Sequence, residues 1–199
     1  MQPKKNTRIR KEEIVQATLR VVAERGSSGV TIAAIAEAAG MSEANIYRHF
    51  SGKEGILHAV ADFIGANLMA RAATLAAGSG SPAAKLKAVF FNHISMLAEN
   101  PGMPRFIFSE EVHLRDRALA QAMAVRMGSY VESIAGIIAA GVEEGDFREG
   151  LSPRETAMTL LGMISFTALR WSISNYAFDV TRDAEGMWEN FLILAARCG

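Results

Sequence analysis

Cysteines and metal-ligand clusters are what this 199-residue sequence has least of. Its one cysteine, Cys198, has no partner for an intramolecular disulfide or a cysteine zinc site, so we expect a reducing, cytoplasmic setting. The four histidines, at positions 49, 58, 93 and 113, have no metal-ligand spacing, and there is neither a Gly-x-Ser-x-Gly motif nor a phosphate-binding loop. We therefore expect no bound metal, no cofactor and no enzymatic activity.

One fragment of a metal-binding motif is present. The segment Glu110-Glu111-Val112-His113 contains a single Glu-x-x-His, which is half of the ligand set of di-iron carboxylate bundles. Because a second copy is absent, we expect these residues to form a solvated turn.

Proline is also scarce, and the sequence has no long apolar segment that is uninterrupted by polar residues. The five prolines lie outside, or in the first turn of, segments with helical periodicity, which predicts an all-helical chain. Residues 156–173 form a long apolar stretch, but Thr159, Ser165 and Arg170 interrupt it, so we do not expect it to span a membrane. A helix that is apolar on nearly all sides is typical of a buried core or of a subunit interface.

The net charge is zero, yet the two parts of the chain differ in sign. Residues 1–58 contain nine Lys and Arg against six acidic residues, whereas the remainder contains 12 against 15. A basic N-terminal part favours an anionic partner such as nucleic acid, although a solvated surface has the same composition. The basic residues 4–11 precede an amphipathic stretch and no cleavage site, so we expect no secretion signal.

Three long helices are predicted after residue 80. Ser81-Pro82 and Ser152-Pro153 each place a capping serine before a proline at the first helical position. The first of these helices should end near Asn100 and the second near residue 175. Apolar residues at helical spacing predict another helix over about 119–138. Together they indicate a helical bundle.

The most informative stretch is residues 31–53, TIAAIAEAAGMSEANIYRHFSGK. Thr31 can cap a short helix with one apolar face, and Gly40 supplies the left-handed residue that ends this helix abruptly. Ser42 is a natural N-cap for a second short helix, in which Ile46 points inward. Two helices joined by a glycine-containing turn of three or four residues predict a helix-turn-helix.

The second helix of this motif offers a specific set of side chains to solvent if Ile46 and Phe50 form its buried edge. Arg and Asn suit bidentate contacts with guanine and adenine, and a small Ala allows close approach or contact with a thymine methyl group. The residues expected near bases are Glu43, Ala44, Asn45 and Arg48. The residues expected to contact phosphates are Thr31, Ser42, Tyr47, His49 and Lys53, with the basic residues 4–11 as a possible addition.

Residues 10–58 resemble the DNA-binding domain of the TetR family of transcriptional regulators. The residues that carry the similarity are Ile35-Ala36, Ala39-Gly40-Met41-Ser42, Ile46-Tyr47-Arg48-His49-Phe50 and Lys53. They combine a turn glycine, an N-cap, a Tyr-x-His-Phe motif and a downstream lysine at fixed offsets. Ala44 departs from the pattern, because glycine or serine is common there in the family, and this leaves the base preference open.

The resemblance implies an all-α regulator with two domains. An N-terminal three-helix DNA-binding domain would cover residues 1–58, and a helical-bundle domain for dimerisation and ligand binding would cover 59–199. The protein would be a homodimeric repressor on a palindromic operator in double-stranded DNA, released by a small-molecule effector. Its last two helices, about 153–175 and 182–197, would form the dimer interface, where small and apolar residues allow close helix packing.

A ligand site in the second domain is the least specified expectation. Aromatic and methionine side chains suit a flexible apolar cavity, although most of them individually would equally fill a core. The residues expected to line the site are Phe90, His93, Phe106, Met123, Met127, Tyr130, Phe166 and Arg170. A DNA-bound regulator that acts through a protein partner, without a small-molecule ligand, remains the alternative.

Overall fold

Residues 7–196 are described by the computed structural model, and they form helices joined by short turns. The helices are α1 (Thr7–Arg25), α2 (Ile32–Ala39), α3 (Glu43–Tyr47), α4 (Lys53–Ala76), α5 (Pro82–Glu99), α6 (Gly102–Ile107), α7 (Arg117–Glu143), α8 (Pro153–Ile173) and α9 (Val180–Ala195). A π-helical segment, Glu111–Arg115, lies between α6 and α7. Within the described residues the β-type pairing is limited to an isolated bridge between Phe147 and Ala196. The predicted all-α fold is confirmed.

The proline-started helices begin where the sequence predicts, at Pro82 and Pro153. The predicted side-chain cap of α8 is wrong, because Ser152 makes no capping hydrogen bond through its hydroxyl. Instead the Thr156 hydroxyl donates to the carbonyl oxygen of Ser152 at 2.7 Å. Proline already lacks the first orphan N–H of the helix, so the helix can start without that cap.

Two compact units make up the chain. The first contains residues up to 64 together with 100–123, and the second contains residues 65–99 together with those from 124 onward. The sequence placed one boundary after residue 58. The difference arises because α6 packs tightly on α1, where a Cβ on Gly102 would overlap the carbonyl oxygen of Leu19. The Arg105 guanidinium also donates to the carbonyl oxygen of Ala23.

The core of the first unit is built from the apolar faces of short helices. In α1 the buried side chains include Ile14, Leu19 and Val22, and α2 and α3 contribute the buried Ile35 and Ile46. All five are almost inaccessible to solvent. Burying these aliphatic groups fixes the helix-turn-helix on α1, since removal of apolar surface from water is the main favourable contribution to folding.

Aromatic rings join two helices in the core of the second unit. Phe90 from α5 lies 5.6 Å from Trp188 of α9, measured between ring centroids, and Trp188 lies 5.5 Å from Phe191. These rings are buried. Their contacts fix α9 against α5.

No helix in the described part of the chain is long and apolar enough to cross a membrane.

Candidate nucleic-acid interface and ligand site

The predicted helix-turn-helix is present, with its helix ends fixed by local hydrogen bonds. The Thr31 hydroxyl accepts from the backbone N–H of Ala34 at 3.1 Å and starts α2. Gly40 has the left-handed conformation (φ 62°) that ends α2. The Ser42 hydroxyl accepts from the backbone N–H of Asn45 at 3.3 Å and starts α3. The sequence therefore determined this motif almost completely.

The side chains of α3 divide as the helical wheel predicts. Ile46 is fully buried and Phe50, just after the helix, is also buried. The residues that remain exposed are Thr31, Ser42, Glu43, Ala44, Tyr47 and Arg48, while Asn45, His49 and Lys53 are half-buried. Seven of the nine residues predicted to contact DNA thus lie between Ser42 and His49, whereas Thr31 caps α2 and Lys53 starts α4.

His49 has an unusual position within this set. Its Nδ1 atom is buried and has no hydrogen-bond partner within the described residues. A buried polar atom without a partner is costly, and such atoms often mark sites where a ligand or water completes the bonding. The phosphate contact predicted for His49 would therefore have to use Nε2, because Nδ1 is not accessible.

Several cations of the first unit already have partners. Arg10 lies 2.9 Å from Glu13, and the Lys11 ammonium lies 5.3 Å from the centroid of the Phe50 ring. Of the basic arm predicted over residues 4–11, positions 4 and 5 lie outside the described residues. The basic character at the start of α1 is therefore partly neutralised by carboxylates of the same helix.

Lys53, the first residue of α4, is also paired. Its Nζ atom lies 3.0 Å from Oε1 of Glu111 in the π-helical segment. The expectation that residues 110–113 form a simple solvated turn is wrong in part, because the Glu111 side chain is only 13% exposed. Nothing in the local sequence marks this pair, since 58 residues separate its members.

A second polar contact beside it was also missed by the sequence. His58 Nε2 lies 2.7 Å from Oδ2 of Asp116, and Oδ1 of the same carboxylate accepts from the backbone N–H of Leu119 at 2.9 Å. The Leu119 hydrogen bond is the largest cause that lowers the pKa of Asp116, and the contacts with His58 add to it. Asp116 therefore caps the start of α7 and contacts α4 with a single carboxylate.

An open groove of about 440 Å³ lies along the first unit between α1 and the end of α2. Arg10, Glu13 and Arg20 are among the residues that line it, and most of its walls are charged or polar. Apart from Arg10 of the basic residues 4–11, none of the residues predicted for DNA or ligand binding lines this groove. It does not correspond to the apolar ligand site that the sequence predicts.

The eight residues predicted to line a ligand site fall into three groups. Phe90, His93 and Tyr130 lie in the second unit, whereas Phe106 and Met123 belong to the first. Met127, Phe166 and Arg170 are exposed; Phe166 is 68% exposed, and Arg170 pairs with Asp183 and lies over the Phe178 ring. Of the eight, the structure places His93 and Tyr130 in contact, and the site itself remains a prediction.

His93 and Tyr130 form the polar contact of that group. The Tyr130 hydroxyl lies 3.4 Å from Nδ1 of His93, and the two rings meet edge to face with centroids 5.6 Å apart. Burial lowers the pKa of His93 to about 4 and raises the pKa of Tyr130. Both groups are therefore uncharged at neutral pH. Trp188 and Phe191, which pack beside Phe90, were missed because the sequence assigned α9 to the dimer interface.

Metal-ligating side chains do not cluster anywhere in residues 7–196: no three His, Cys, Asp or Glu lie together in a way that could hold an ion. The helix-turn-helix on a small helical unit, followed by a larger helical unit with an aromatic core, defines a DNA-binding regulator of the two-domain helical class.

Comparison with known proteins gives the family. The sequence model described as "Bacterial regulatory proteins, tetR family" matches residues 14–60, and the one described as "Tetracyclin repressor-like, C-terminal domain" matches residues 79–171. The chain belongs to the TetR family of bacterial regulatory proteins. It is a DNA-binding, ligand-responsive transcriptional regulator, whose partners are operator DNA, a second copy of the chain and a small-molecule ligand.

Individual relatives agree with this assignment. The chain is 25% identical over 168 residues to the fatty acid metabolism regulator protein of Bacillus subtilis. The aligned region covers 84% of this chain and 86% of that protein. The chain is 27% identical over 184 residues to the nucleoid occlusion factor SlmA of Vibrio vulnificus, covering 90% and 92%. The crystal structure of FadR from Bacillus subtilis in complex with stearoyl-CoA has the same fold, with a TM-score of 0.76, 24% identity and coverage of 90% and 96%.

Proposed function

We propose that this protein is a homodimeric repressor that contacts operator bases through α3 and leaves the operator when an acyl thioester binds in its second unit. The observation that carries the DNA-binding part is the geometry of α3. Ile46 is buried while Ala44 and Arg48 are exposed beside a half-buried Asn45. A palindromic operator follows from a twofold dimer with two such helices.

Arg48 and Lys53 have different proposed roles, and this difference can be measured. Arg48 would contact a base edge, so Arg48→Ala should cost about 1–3 kcal/mol of binding free energy and relax the base preference. Lys53 would contact a phosphate, so Lys53→Ala should weaken binding to all sequences alike and lower the salt dependence.

The experiment is selection of bound fragments from genomic DNA, followed by titration of each variant against the selected site and a scrambled duplex. Loss of discrimination in Arg48→Ala, with discrimination retained in Lys53→Ala, supports the assignment. If Arg48→Ala weakens both duplexes equally, Arg48 does not contact bases.

The dimer interface that we propose is the outer face of α8 and α9. Large apolar side chains are exposed there, and they are Met158, Phe166, Ile173, Ile193 and Leu194. Exposed apolar groups concentrated on two neighbouring helices are typical of a surface that a partner covers. Gly162 lies on the same side of α8 and allows close approach of a second helix.

The ligand that we propose carries an uncharged hydrogen-bond acceptor on an apolar chain. His93 lies beside Tyr130 in the second unit, and burial lowers its pKa to about 4, so the imidazole is neutral at pH 7. In the tautomer in which the Tyr130 hydroxyl donates to Nδ1, the neutral imidazole carries its proton on Nε2. That N–H suits a carbonyl oxygen, and it lacks the charge that would compensate a buried carboxylate.

Long-chain acyl-CoA thioesters meet this description, and the stearoyl-CoA bound to a fold relative supports the choice. The test compares stearoyl-CoA with an S-octadecyl-CoA thioether, which has the same chain and no carbonyl group. We expect Tyr130→Phe and His93→Leu to weaken thioester binding about two- to tenfold, the value of one hydrogen bond, and to leave thioether binding unchanged.

Val125→Ala serves as the control, because Val125 is exposed on the same helix as Tyr130. The variants are compared by calorimetry and by release of the labelled DNA fragment. Equal binding of thioester and thioether to the wild type would exclude a contact with the carbonyl. If neither compound binds nor releases DNA, the ligand class proposed here is wrong.

The second candidate function is a DNA-bound regulator that acts through a protein partner. The observation that favours it is the 27% identity to the nucleoid occlusion factor SlmA over nearly the whole chain. Binding sites scattered along the chromosome, with DNA affinity insensitive to acyl-CoA, would support this candidate. Sites beside one gene or operon would support the repressor. Both candidates place the protein in the cytoplasm without catalytic activity.

A further inference from the structure

Lys53, which the proposed function assigns to a DNA phosphate, is in contact with Glu111. Nζ of Lys53 lies 3.0 Å from Oε1 of Glu111, and the two side chains are 31% and 13% exposed. Both residues belong to the first unit, which also contains the helix-turn-helix. The ammonium group is therefore engaged by a protein carboxylate before any DNA is bound.

The segment that carries Glu111 is anchored by the residues that follow it. Val112 is buried, and Asp116 holds His58 of α4 at 2.7 Å while it caps α7. Residues 111–115 are wound as a π-helix, a form that is rare and is found mostly as single turns. Because its neighbours are fixed, the Glu111 carboxylate is held beside Lys53 by the fold as well as by the ion pair.

Glu111 also has a second cation within reach. Nη1 of Arg115 lies 3.7 Å from Oε1 of Glu111, and Arg115 itself is mostly exposed. If Lys53 turned toward another anion, the half-buried carboxylate would keep a positively charged neighbour. This lowers the cost of releasing Lys53, because an isolated charge in a partly buried position is strongly unfavourable.

We propose that Glu111 competes with a DNA phosphate for the Lys53 ammonium and so lowers the DNA affinity of the protein. This inference rests on the proposed phosphate contact of Lys53. A carboxylate and a phosphate held by one ammonium would lie within a few ångströms of each other and repel, so one anion is favoured at a time. The residue thus acts as an internal anion that DNA must displace.

The expected change in DNA affinity follows from the solvent exposure of the Lys53–Glu111 ion pair. Partly exposed ion pairs contribute little, so removing the carboxylate should tighten DNA binding about two- to fivefold. The probe is a fluorescein-labelled 30-base-pair duplex of mixed sequence, because phosphate contacts do not depend on sequence and no operator is needed. Binding of the full-length protein is measured by fluorescence anisotropy at several salt concentrations.

The variant is Glu111→Gln, and the matched control is Glu110→Gln. The control removes the same charge from the preceding residue, an exposed carboxylate that lies 3.7 Å from Arg115. Any general effect of lowering the negative charge near DNA should appear in both variants. We expect Glu111→Gln to tighten binding clearly more than Glu110→Gln, with unchanged thermal unfolding.

Lys53→Ala completes the cycle. In that background, Glu111→Gln and Glu110→Gln should have equal effects, because the ammonium for which the anions compete is absent. Equal tightening in the wild-type background would overturn the proposal. Weaker binding of Glu111→Gln would also overturn it, since the carboxylate would then hold Lys53 in position for DNA. If the wild type itself does not bind the duplex, the proposed function fails and this inference fails with it.

Discussion

Replacement of Gly102 by alanine tests the packing of α6 on α1. A Cβ at this position would overlap the Leu19 carbonyl oxygen and would lie 2.8 Å from its carbon and 3.2 Å from its Cα. The obstructing atoms are backbone, so they cannot move aside as the end of a flexible side chain could. Relief therefore requires a shift of α6 or of α1, and overpacking of this kind typically costs about 1–3 kcal/mol.

The matched control is Gly136→Ala in α7. A Cβ on Gly136 would meet no neighbouring atom within 4 Å. Alanine favours the interior of a helix over glycine by about 1 kcal/mol, so this change should stabilise the protein slightly. The same chemical substitution is thus expected to have opposite signs at the two positions.

The measurement is urea unfolding of both variants and the wild type, followed by circular dichroism at one fixed protein concentration. Fixed concentration matters because the stability of a dimer depends on it. In a parallel thermal unfolding experiment, the midpoints should move by about 2–4 °C per kcal/mol for a chain of this size. If Gly102→Ala is as stable as Gly136→Ala, the close contact between α6 and α1 does not exist and the first unit ends before residue 100.

Two further predictions concern the second unit. Phe166→Asp places a charge on the proposed dimer interface without touching the core, so it should yield a folded monomer in analytical ultracentrifugation; a dimer of unchanged affinity would contradict that interface. Asp179 caps α9 by accepting from the backbone N–H groups of Thr181 and Arg182 at 2.9 and 3.3 Å. A hydrogen bond from the Thr181 hydroxyl at 2.6 Å, followed by these two backbone contacts, lowers the pKa of Asp179. The stabilisation is therefore present above the unfolded-state pKa of about 4 and is lost as the pH falls through the lower folded-state value. In urea unfolding, Asp179→Ala should be less stable than wild type at pH 7, and this difference should shrink near pH 3. A difference that does not change with pH would show that the charge of Asp179 is not involved.

The ligand site is the part of the protein that sequence patterns predict least well. The apolar periodicity of α8 identifies a helix but does not say which side faces the core, because the helix is apolar on nearly all sides. Phe166 was assigned to a ligand cavity because aromatic side chains suit one, and its side chain lies at the surface. The helix that contains Trp188 was assigned to the dimer interface, and Trp188 itself lies in the core beside Phe90.

The helix-turn-helix, in contrast, was determined by the sequence alone. The Thr31 and Ser42 caps, the left-handed Gly40 and the buried Ile46 act over three or four residues, and local interactions of this range are encoded in the order of the residues. The pairing of Lys53 with Glu111 and the packing of α6 on α1 were decided only by the tertiary structure. These contacts join residues that are far apart in sequence and come together through the burial of other side chains, which neither periodicity nor spacing records.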